Sequence, residues 1–255
     1  MLSIRQLLCN IRYIIAAIFG CLTLIFALCF LSPPAMSTPT HIDANQYDAF
    51  WIWGDIRSAP YLYQAETLYI LQGDFSYHKR QQKIILQPQG IAAKNLAQQQ
   101  IWLVFRNHDL NWSEEHFQMI IRRLNTWRNH GNDVVGVQID FDSKTQALYE
   151  YGLFLQKLRQ HLPNDYQISI TGLLDWTNMQ DDKTLKLLKD NIDELVIQSY
   201  QGRHTIENYQ DYLKRISNMG LPYKIGLVQH GQWNKQLDFR SDPHFRGYVV
   251  FLLKD

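Results

Sequence analysis

Short apolar runs alternate along this chain with longer segments whose apolar residues recur at helical spacing. A parallel sheet whose strands are connected by helices produces this order. Eight segments have the length and composition of buried strands: 50–54, 68–72, 101–106, 134–140, 167–172, 194–199, 224–229 and 247–252. The pattern therefore predicts the α/β class and, more specifically, a closed (β/α)8 barrel of the TIM type.

The helical pattern is clearest in three segments between the later strands. The first, 117–127, is preceded by Ser113, a residue type that caps helix N termini, and is followed by Gly131, which is typical of a C-terminal cap. The other two are 148–162 and 209–219. We expect each helix to bury its apolar face against the outside of the barrel.

The early part of the predicted barrel is less regular. Residues 75–89 have the pattern of a β excursion rather than a helix, and no helical pattern follows the eighth strand. A TIM barrel typically uses about 250 residues. Residues 48–255 are therefore predicted to form a trimmed barrel, with short first connections and no final helix.

The amino terminus carries a continuous apolar run. Arg5 and Arg12 precede this run, which comprises the 19 residues 13–31. A bilayer span needs about 20 apolar residues, whereas the apolar part of a cleavable signal usually has about 7–15. Residues 1–37 are therefore predicted to be a membrane anchor or a signal peptide, with the length favouring an anchor, and residues 38–47 a tether.

The arginines before the apolar run set its predicted orientation. Positive charge on that side places the amino terminus in the cytoplasm and the domain outside it. We therefore expect an exported protein, either anchored in the inner membrane and facing the periplasm or secreted after cleavage. Cys9, Cys21 and Cys29, the cysteines of the chain, all lie within residues 1–37. Disulfides and cysteine catalysis are thus excluded from the predicted domain.

Charge and motif content exclude several classes of function. Beyond residue 37 the chain has 23 basic and 24 acidic residues, which argues against nucleic acid as a partner. There is no His-Glu-x-x-His motif and no Gly-rich phosphate loop. We therefore predict neither a metal site nor a cofactor.

The fourth predicted strand ends in two carboxylates. Side chains alternate between the two faces of a strand, so Gln138, Asp140 and Asp142 share one face while apolar residues occupy the other. If the apolar row packs on helices, the polar row points into the barrel or its mouth. Burying unpaired acids costs several kcal/mol, roughly, which favours a functional site at this strand end.

The next three strands also end in polar or aromatic groups, and in such barrels the active site gathers at these ends. Cleavage of a glycosidic bond needs an acid for the leaving oxygen and a second group near the oxocarbenium-like centre. We predict Asp142 as the acid and Asp140 as the partner that raises its proton affinity. The predicted substrate contacts are Gln138, Asp175, Trp176, Gln198, Tyr200 and His230, with Trp51 or Trp53 as further stacking surfaces.

Structural roles compete with the catalytic ones. Asp140 fits equally a bond to Gln138 or Ser169 inside the barrel, and Asp142 fits the N-cap of the next helix. The remaining alternatives are a turn at Asp175, core-edge positions for Tyr200 and His230, simple packing for Trp51, Trp53 and Trp102, and loop positions for Arg106, His108 and Asp109.

Residues 136–142 resemble the fourth-strand signature of chitinase-like glycoside hydrolases, Asp-Gly-x-Asp-x-Asp-x-Glu. Gln138 occupies the position of the first interior aspartate, Asp140 matches the second, and Asp142 replaces the glutamate that is the family's general acid. Residues 197–200, Ile-Gln-Ser-Tyr, are similar to the sixth-strand segment of that family. The resemblance implies that the tyrosine of this segment assists the N-acetyl group of a substrate.

Residues 48–255 as a whole look more like an uncharacterised bacterial family of exported barrel proteins, known only as a domain of unknown function and grouped with glycosidase barrels. We therefore expect a barrel that hydrolyses or binds a cell-envelope or extracellular polysaccharide. Two other functions remain open at this point. One is a catalytically inactive carbohydrate-binding or scaffold protein, and the other is an inner-membrane assembly factor that recognises a protein.

Overall fold

The computed structural model describes residues 40–54, 60–96 and 99–253. The predicted anchor or signal at 1–37 lies outside the described residues. Within the described ranges, no helix combines the length and the hydrophobicity needed to cross a bilayer.

Eight parallel strands form a closed barrel. In chain order they are β1 (Ala49–Ile52), β2 (Thr67–His78), β3 (Gln100–Asn107), β4 (Asp133–Asp140), β5 (Gln167–Leu173), β6 (Glu194–Gln198), β7 (Tyr223–Val228) and β8 (Phe245–Phe251). Strand β1 pairs with both β2 and β8, which closes the barrel. All eight predicted strands are confirmed, and the TIM-like fold with them.

Helices connect the strands from β3 to β7, whereas the connection between β7 and β8, which the structure describes throughout, contains none. They are α1 (Glu114–Asn129), α2 (Leu148–His161), α3 (Asp182–Asn191) and α4 (Tyr209–Leu213). The predicted limits of α1 are confirmed: the backbone N–H of Ser113 donates to Nδ1 of His116 at 2.9 Å, and Gly131 follows the helix with a φ of +82°.

The predicted helix at 209–219 is wrong in one respect. Only Tyr209–Leu213 is α-helical, and Ile216–Met219 is a 3-10 helix. The backbone N–H groups of Arg215 and Asn218 bond to carbonyls three residues earlier, which tightens the turns and interrupts the α-helix.

The first two connections differ from the four that contain α1 to α4. In the described residues between β1 and β2 there is a 3-10 helix, Pro60–Gln64, and β2 continues into a hairpin with the antiparallel strand Lys83–Pro88. The predicted β excursion at 75–89 is therefore confirmed. Among the described residues neither connection contains an α-helix.

The tether predicted at 38–47 needs a correction for its described part. Thr40–His41 pairs in antiparallel fashion with Gln232–Trp233, and Ile42 and Ala44 are buried in the core. Burial of these two apolar side chains stabilises the packed conformation of the segment, which is therefore part of the barrel domain and not a solvated tether.

The alternation of β4 positions its two rows of side chains as predicted. Val137 and Ile139 are fully buried in the layer between barrel and helices, whereas Gln138 is fully buried inside the barrel. The barrel interior also holds an ion pair near the amino ends of the strands, in which Nζ of Lys224 lies 3.2 Å from Oε2 of Glu194. The hydroxyl of Tyr69 donates to the other Glu194 oxygen at 2.8 Å.

Candidate active site

A cavity of about 520 Å³ opens at the carboxyl ends of the strands. Its described lining consists of Trp53, Arg106, Asp140, Asp142, Leu173, Leu174, Asp175, Gln198, Tyr200, Gln201, Gly202, Ile206, Tyr212 and Phe251. Five of the eight predicted site residues are therefore brought together here, namely Asp140, Asp142, Asp175, Gln198 and Tyr200.

Asp140, the last residue of β4, is the deepest acid of the cavity. Its side chain is 10% exposed, and Oδ1 accepts a hydrogen bond of 2.8 Å from the hydroxyl of Thr171. Burial raises the pKa of Asp140 to about 6, and the charge of Asp142 adds to the increase. The Thr171 hydrogen bond and the charges of Arg106 and His108 oppose it.

The sheet register explains these contacts. Arg106 on β3 is the register partner of Asp140, and Nε of Arg106 lies 3.7 Å from Oδ2 of Asp140. On the other side, β4 and β5 pair up to Ile139 and Ile170, so Thr171 follows next to Asp140. The predicted alternative, a bond from Asp140 to Gln138 or Ser169, is not formed, because those two side chains bond to each other at 2.9 Å.

Asp142 lies at the mouth of the cavity and is exposed to solvent. Among the described residues, no group forms a hydrogen bond or ion pair with its carboxylate. The alternative role as a helix cap is wrong, since the next helical turn, Thr145–Ala147, has Lys144 at its N-cap. Asp140 is the buried member of the pair, and burial raises its pKa.

Three further residues of the lining lie at or beyond the ends of β5 and β6. Asp175 is exposed and accepts a hydrogen bond of 2.6 Å from the hydroxyl of Thr145. Gln198, the last residue of β6, is half-buried. The ring of Tyr200 stacks on Phe251 with centroids 5.7 Å apart. Burial, followed by the nearby aspartates, raises the pKa of Tyr200 well above its ordinary value, so its hydroxyl remains a hydrogen-bond donor.

Gln138 and Trp176 are predicted site residues that do not line the cavity. The amide oxygen of Gln138 accepts a bond of 2.5 Å from the Trp51 indole below the cavity floor, within the barrel. Trp176 is fully buried and donates to the Ser143 carbonyl at 2.9 Å. The chain turns into a 3-10 helix after β5, which directs Trp176 toward the core and leaves Asp175 at the cavity.

His230 is also not brought to the cavity. It lies in a tight turn after β7, with a φ of +62°, and its backbone N–H donates to the Ile42 carbonyl at 3.0 Å. This turn reverses the chain toward the strand Gln232–Trp233 and leaves the imidazole exposed to solvent. The substrate contact predicted for His230 is therefore corrected.

Arg106 and Trp53 supply the cation and the aromatic surface of the cavity. The guanidinium of Arg106 lies over the Trp53 ring, 5.0 Å from its centroid, and Phe251 meets the same ring edge-on at 5.2 Å. The sequence pattern predicted a loop position for Arg106 and no part in the site. The available signal was its position at the end of the strand that precedes β4, because the ends of neighbouring parallel strands meet at one edge.

An aspartate and a histidine form a further pair beside this site. Nε2 of His108 lies 3.1 Å from Oδ2 of Asp74, and Asp74 is the register partner of Arg106. Within the part of the chain that the structure describes, no group of three or more histidine, cysteine, aspartate and glutamate side chains is arranged to hold a metal ion.

One family model matches part of the chain. The sequence model of the family described as "Domain of unknown function (DUF3142)" matches residues 109–217. The predicted resemblance to a family of unknown function is confirmed. The matched segment contains Asp140, Asp142, Asp175 and Tyr200. No curated protein matches the chain.

Two solved structures are similar to the chain. One is the spore cortex-lytic enzyme SleL of Bacillus cereus, with 14% identity and a TM-score of 0.44 over 71% of this chain and 51% of that one. The other is the chitinase domain of the spore coat protein CotE from Clostridium difficile, with 12% identity and a TM-score of 0.47 over 82% of this chain and 72% of that one. The chain spans about half the length of the SleL structure.

Proposed function

We propose that this protein is a glycoside hydrolase that cleaves a cell-envelope or extracellular polysaccharide, with Asp142 as the general acid and Asp140 as its partner. One observation carries the proposal. Asp140 at the end of β4 and Asp142 two residues beyond it line the same cavity, and Asp142 is exposed while Asp140 is buried with a pKa of about 6. Glycosidic cleavage uses two carboxyl groups beside the scissile bond, one as the proton donor and the other as an anion or base.

Asp142 is suited to act on the glycosidic oxygen. Its carboxyl group reaches the open part of the cavity, and no described side chain competes for its oxygens. A proton donated from this position would assist departure of the leaving sugar. Asp140 lies two residues earlier on the same face, where its charge changes the electrostatic potential at Asp142.

Opposing influences keep the proton of Asp140 exchangeable near neutral pH. Burial favours the neutral acid, while Thr171 and Arg106 favour the carboxylate. A pKa of about 6 lets this group gain or lose a proton as charge develops in the cavity. In the proposed reaction the anion stabilises positive charge on the sugar ring.

The remaining lining suits a sugar ring. Trp53 offers an aromatic face, Tyr200 offers a hydroxyl donor, and Gln198 offers an amide. Flat apolar surfaces with a few placed polar groups are typical of small-ligand sites. The export predicted from residues 1–37 is part of the proposal, since it would bring the domain to polysaccharides outside the cytoplasm.

The test uses the purified full-length chain on a panel of envelope and extracellular glycans, with reducing ends and binding measured together. Asp142→Asn is compared with wild type, and Asp190→Asn is the control because Asp190 is exposed and lies outside the cavity. We expect hydrolysis to be lost in Asp142→Asn alone. Equal binding without turnover in all three proteins would indicate a carbohydrate-binding or scaffold role, and no glycan binding would indicate a protein partner.

A further inference from the structure

We infer that the substrate is a glycan whose sugars carry free amino groups, so that the cavity binds a cationic polysaccharide. The inference rests on the proposed function and narrows its substrate class. It follows from the balance of charge in the cavity and from the positions of the side chains that carry this charge.

The described lining of the cavity is predominantly acidic. It contains three carboxylates, Asp140, Asp142 and Asp175, and one guanidinium, that of Arg106. A cleft with an excess of one sign of charge attracts ligands of the opposite sign and raises their local concentration. An anionic glycan, such as a polymer of uronic acids, is repelled by the same field.

The single cation of this lining is already engaged. Nε of Arg106 faces Oδ2 of Asp140 at 3.7 Å, and the guanidinium also lies over the Trp53 ring. Its charge therefore offsets that of Asp140. Asp175 lies at the mouth without a cation within ion-pair distance among the described residues, which leaves its charge for a ligand, whereas Asp142 is the proposed proton donor.

Asp175 is the side chain best placed to hold an ammonium group. The Thr145 hydroxyl, on the turn after β4, donates to Oδ2 of Asp175 at 2.6 Å. This neutral bond fixes the carboxylate without cancelling its charge, and the exposed side chain faces the cavity together with Leu174 and Tyr212. A charge-assisted hydrogen bond from a sugar ammonium to a fixed carboxylate is stronger than one from a neutral amide.

The test measures how tightly the full-length chain binds a set of matched sugar hexamers. Glucosamine hexamers with β-1,4 and with β-1,6 linkages are each compared with their N-acetylated form, and cellohexaose serves as the neutral reference. Affinities are measured by calorimetry at about pH 6, where the sugar amines are protonated. In at least one linkage we expect the free amine to bind about tenfold more tightly than the N-acetyl form, with a smaller ratio at high salt.

Two variants locate the effect. Asp175→Asn removes one charge at nearly constant volume and should reduce the ratio of amine to N-acetyl affinity severalfold, whereas Asp190→Asn, outside the cavity, should keep it. Equal or tighter binding of the N-acetyl forms overturns the inference and leaves the proposed hydrolase intact. Failure of every hexamer to bind overturns the inference as well, and the proposed function then fails only if the wider glycan panel is also neither bound nor cleaved.

Discussion

Nε of Arg106 lies 3.7 Å from Oδ2 of Asp140, and the two residues are register partners on neighbouring parallel strands. The arginine is partly exposed while the aspartate is mostly buried, with exposed side-chain fractions of 37% and 10%. Solvent therefore weakens the attraction, and burial dominates the pKa of Asp140. An acid that titrates near neutral pH is thus placed at the end of β4.

Removing the Thr171 hydroxyl should raise the pKa of Asp140 above about 6. The hydroxyl donates to the carboxylate and so favours its charged form. Thr171→Val deletes this donor while keeping the shape of the side chain, and Thr171→Ser is the control that retains it. Titration of the Asp140 carboxyl by carbon NMR measures the change, and an unchanged or lower value in Thr171→Val would contradict the assignment.

Asp140→Asn should change how the free energy of unfolding depends on pH. The pKa of Asp140 is about 6 in the fold and about 3.9 in an unfolded chain. The folded state therefore binds more protons in this interval, and the stability contributed by this group is complete below the lower value and is lost as pH rises through the upper one.

Asparagine is never charged, so the stability of Asp140→Asn relative to wild type should increase between about pH 4 and about pH 7, by roughly 2 kcal/mol. Urea unfolding at about pH 4 and about pH 7 provides the measurement. A difference between the two proteins that stays constant with pH would show that Asp140 titrates normally.

Trp53→Ala should weaken glycan binding by about tenfold or more, because the half-buried indole supplies the aromatic face of the cavity. Trp176→Phe is the contrasting variant. It removes the donor to the buried Ser143 carbonyl and should lower stability by about 1–3 kcal/mol while leaving affinity unchanged. Calorimetric titration and thermal unfolding separate the two effects, and a loss of affinity in Trp176→Phe would contradict this division.

Lys224→Met should destabilise the barrel by about 3–5 kcal/mol, because it leaves the Glu194 carboxylate buried without its cation. Combining it with Glu194→Gln should recover most of the loss, since no unpaired charge then remains. Urea unfolding of the two single variants and the double variant measures the coupling. Additive losses would mean that the two side chains do not act as a pair.

The fold was predictable from the sequence because short apolar runs alternate with segments of helical or turn-forming composition. The alternation in 134–142 correctly assigned Val137 and Ile139 to the helix side and Asp140 to the inner side. Alternation gives the face of a residue but not its depth along the barrel axis. Gln138 therefore shares a face with Asp140 and yet lies below the cavity, bonded to Ser169.

The site was less predictable wherever the chain leaves a strand. Trp176 and His230 follow strand ends, but a 3-10 helix directs the first into the core and a left-handed turn leaves the second exposed outside the cavity. Arg106 needed the pairing of β3 with β4, which brings residues 34 positions apart into register. Periodicity within one segment carries no information about such pairing.

The account depends most on Asp142 as the acid, and its most direct test is the rate of reducing-end release from the cleaved glycan by the full-length chain. For Asp142→Asn we predict a kcat at least about 100-fold below that of wild type, with KM changed only severalfold and with Asp190→Asn equal to wild type. A kcat in Asp142→Asn within threefold of wild type, or a wild-type protein that releases no reducing ends from any glycan it binds, would contradict the account.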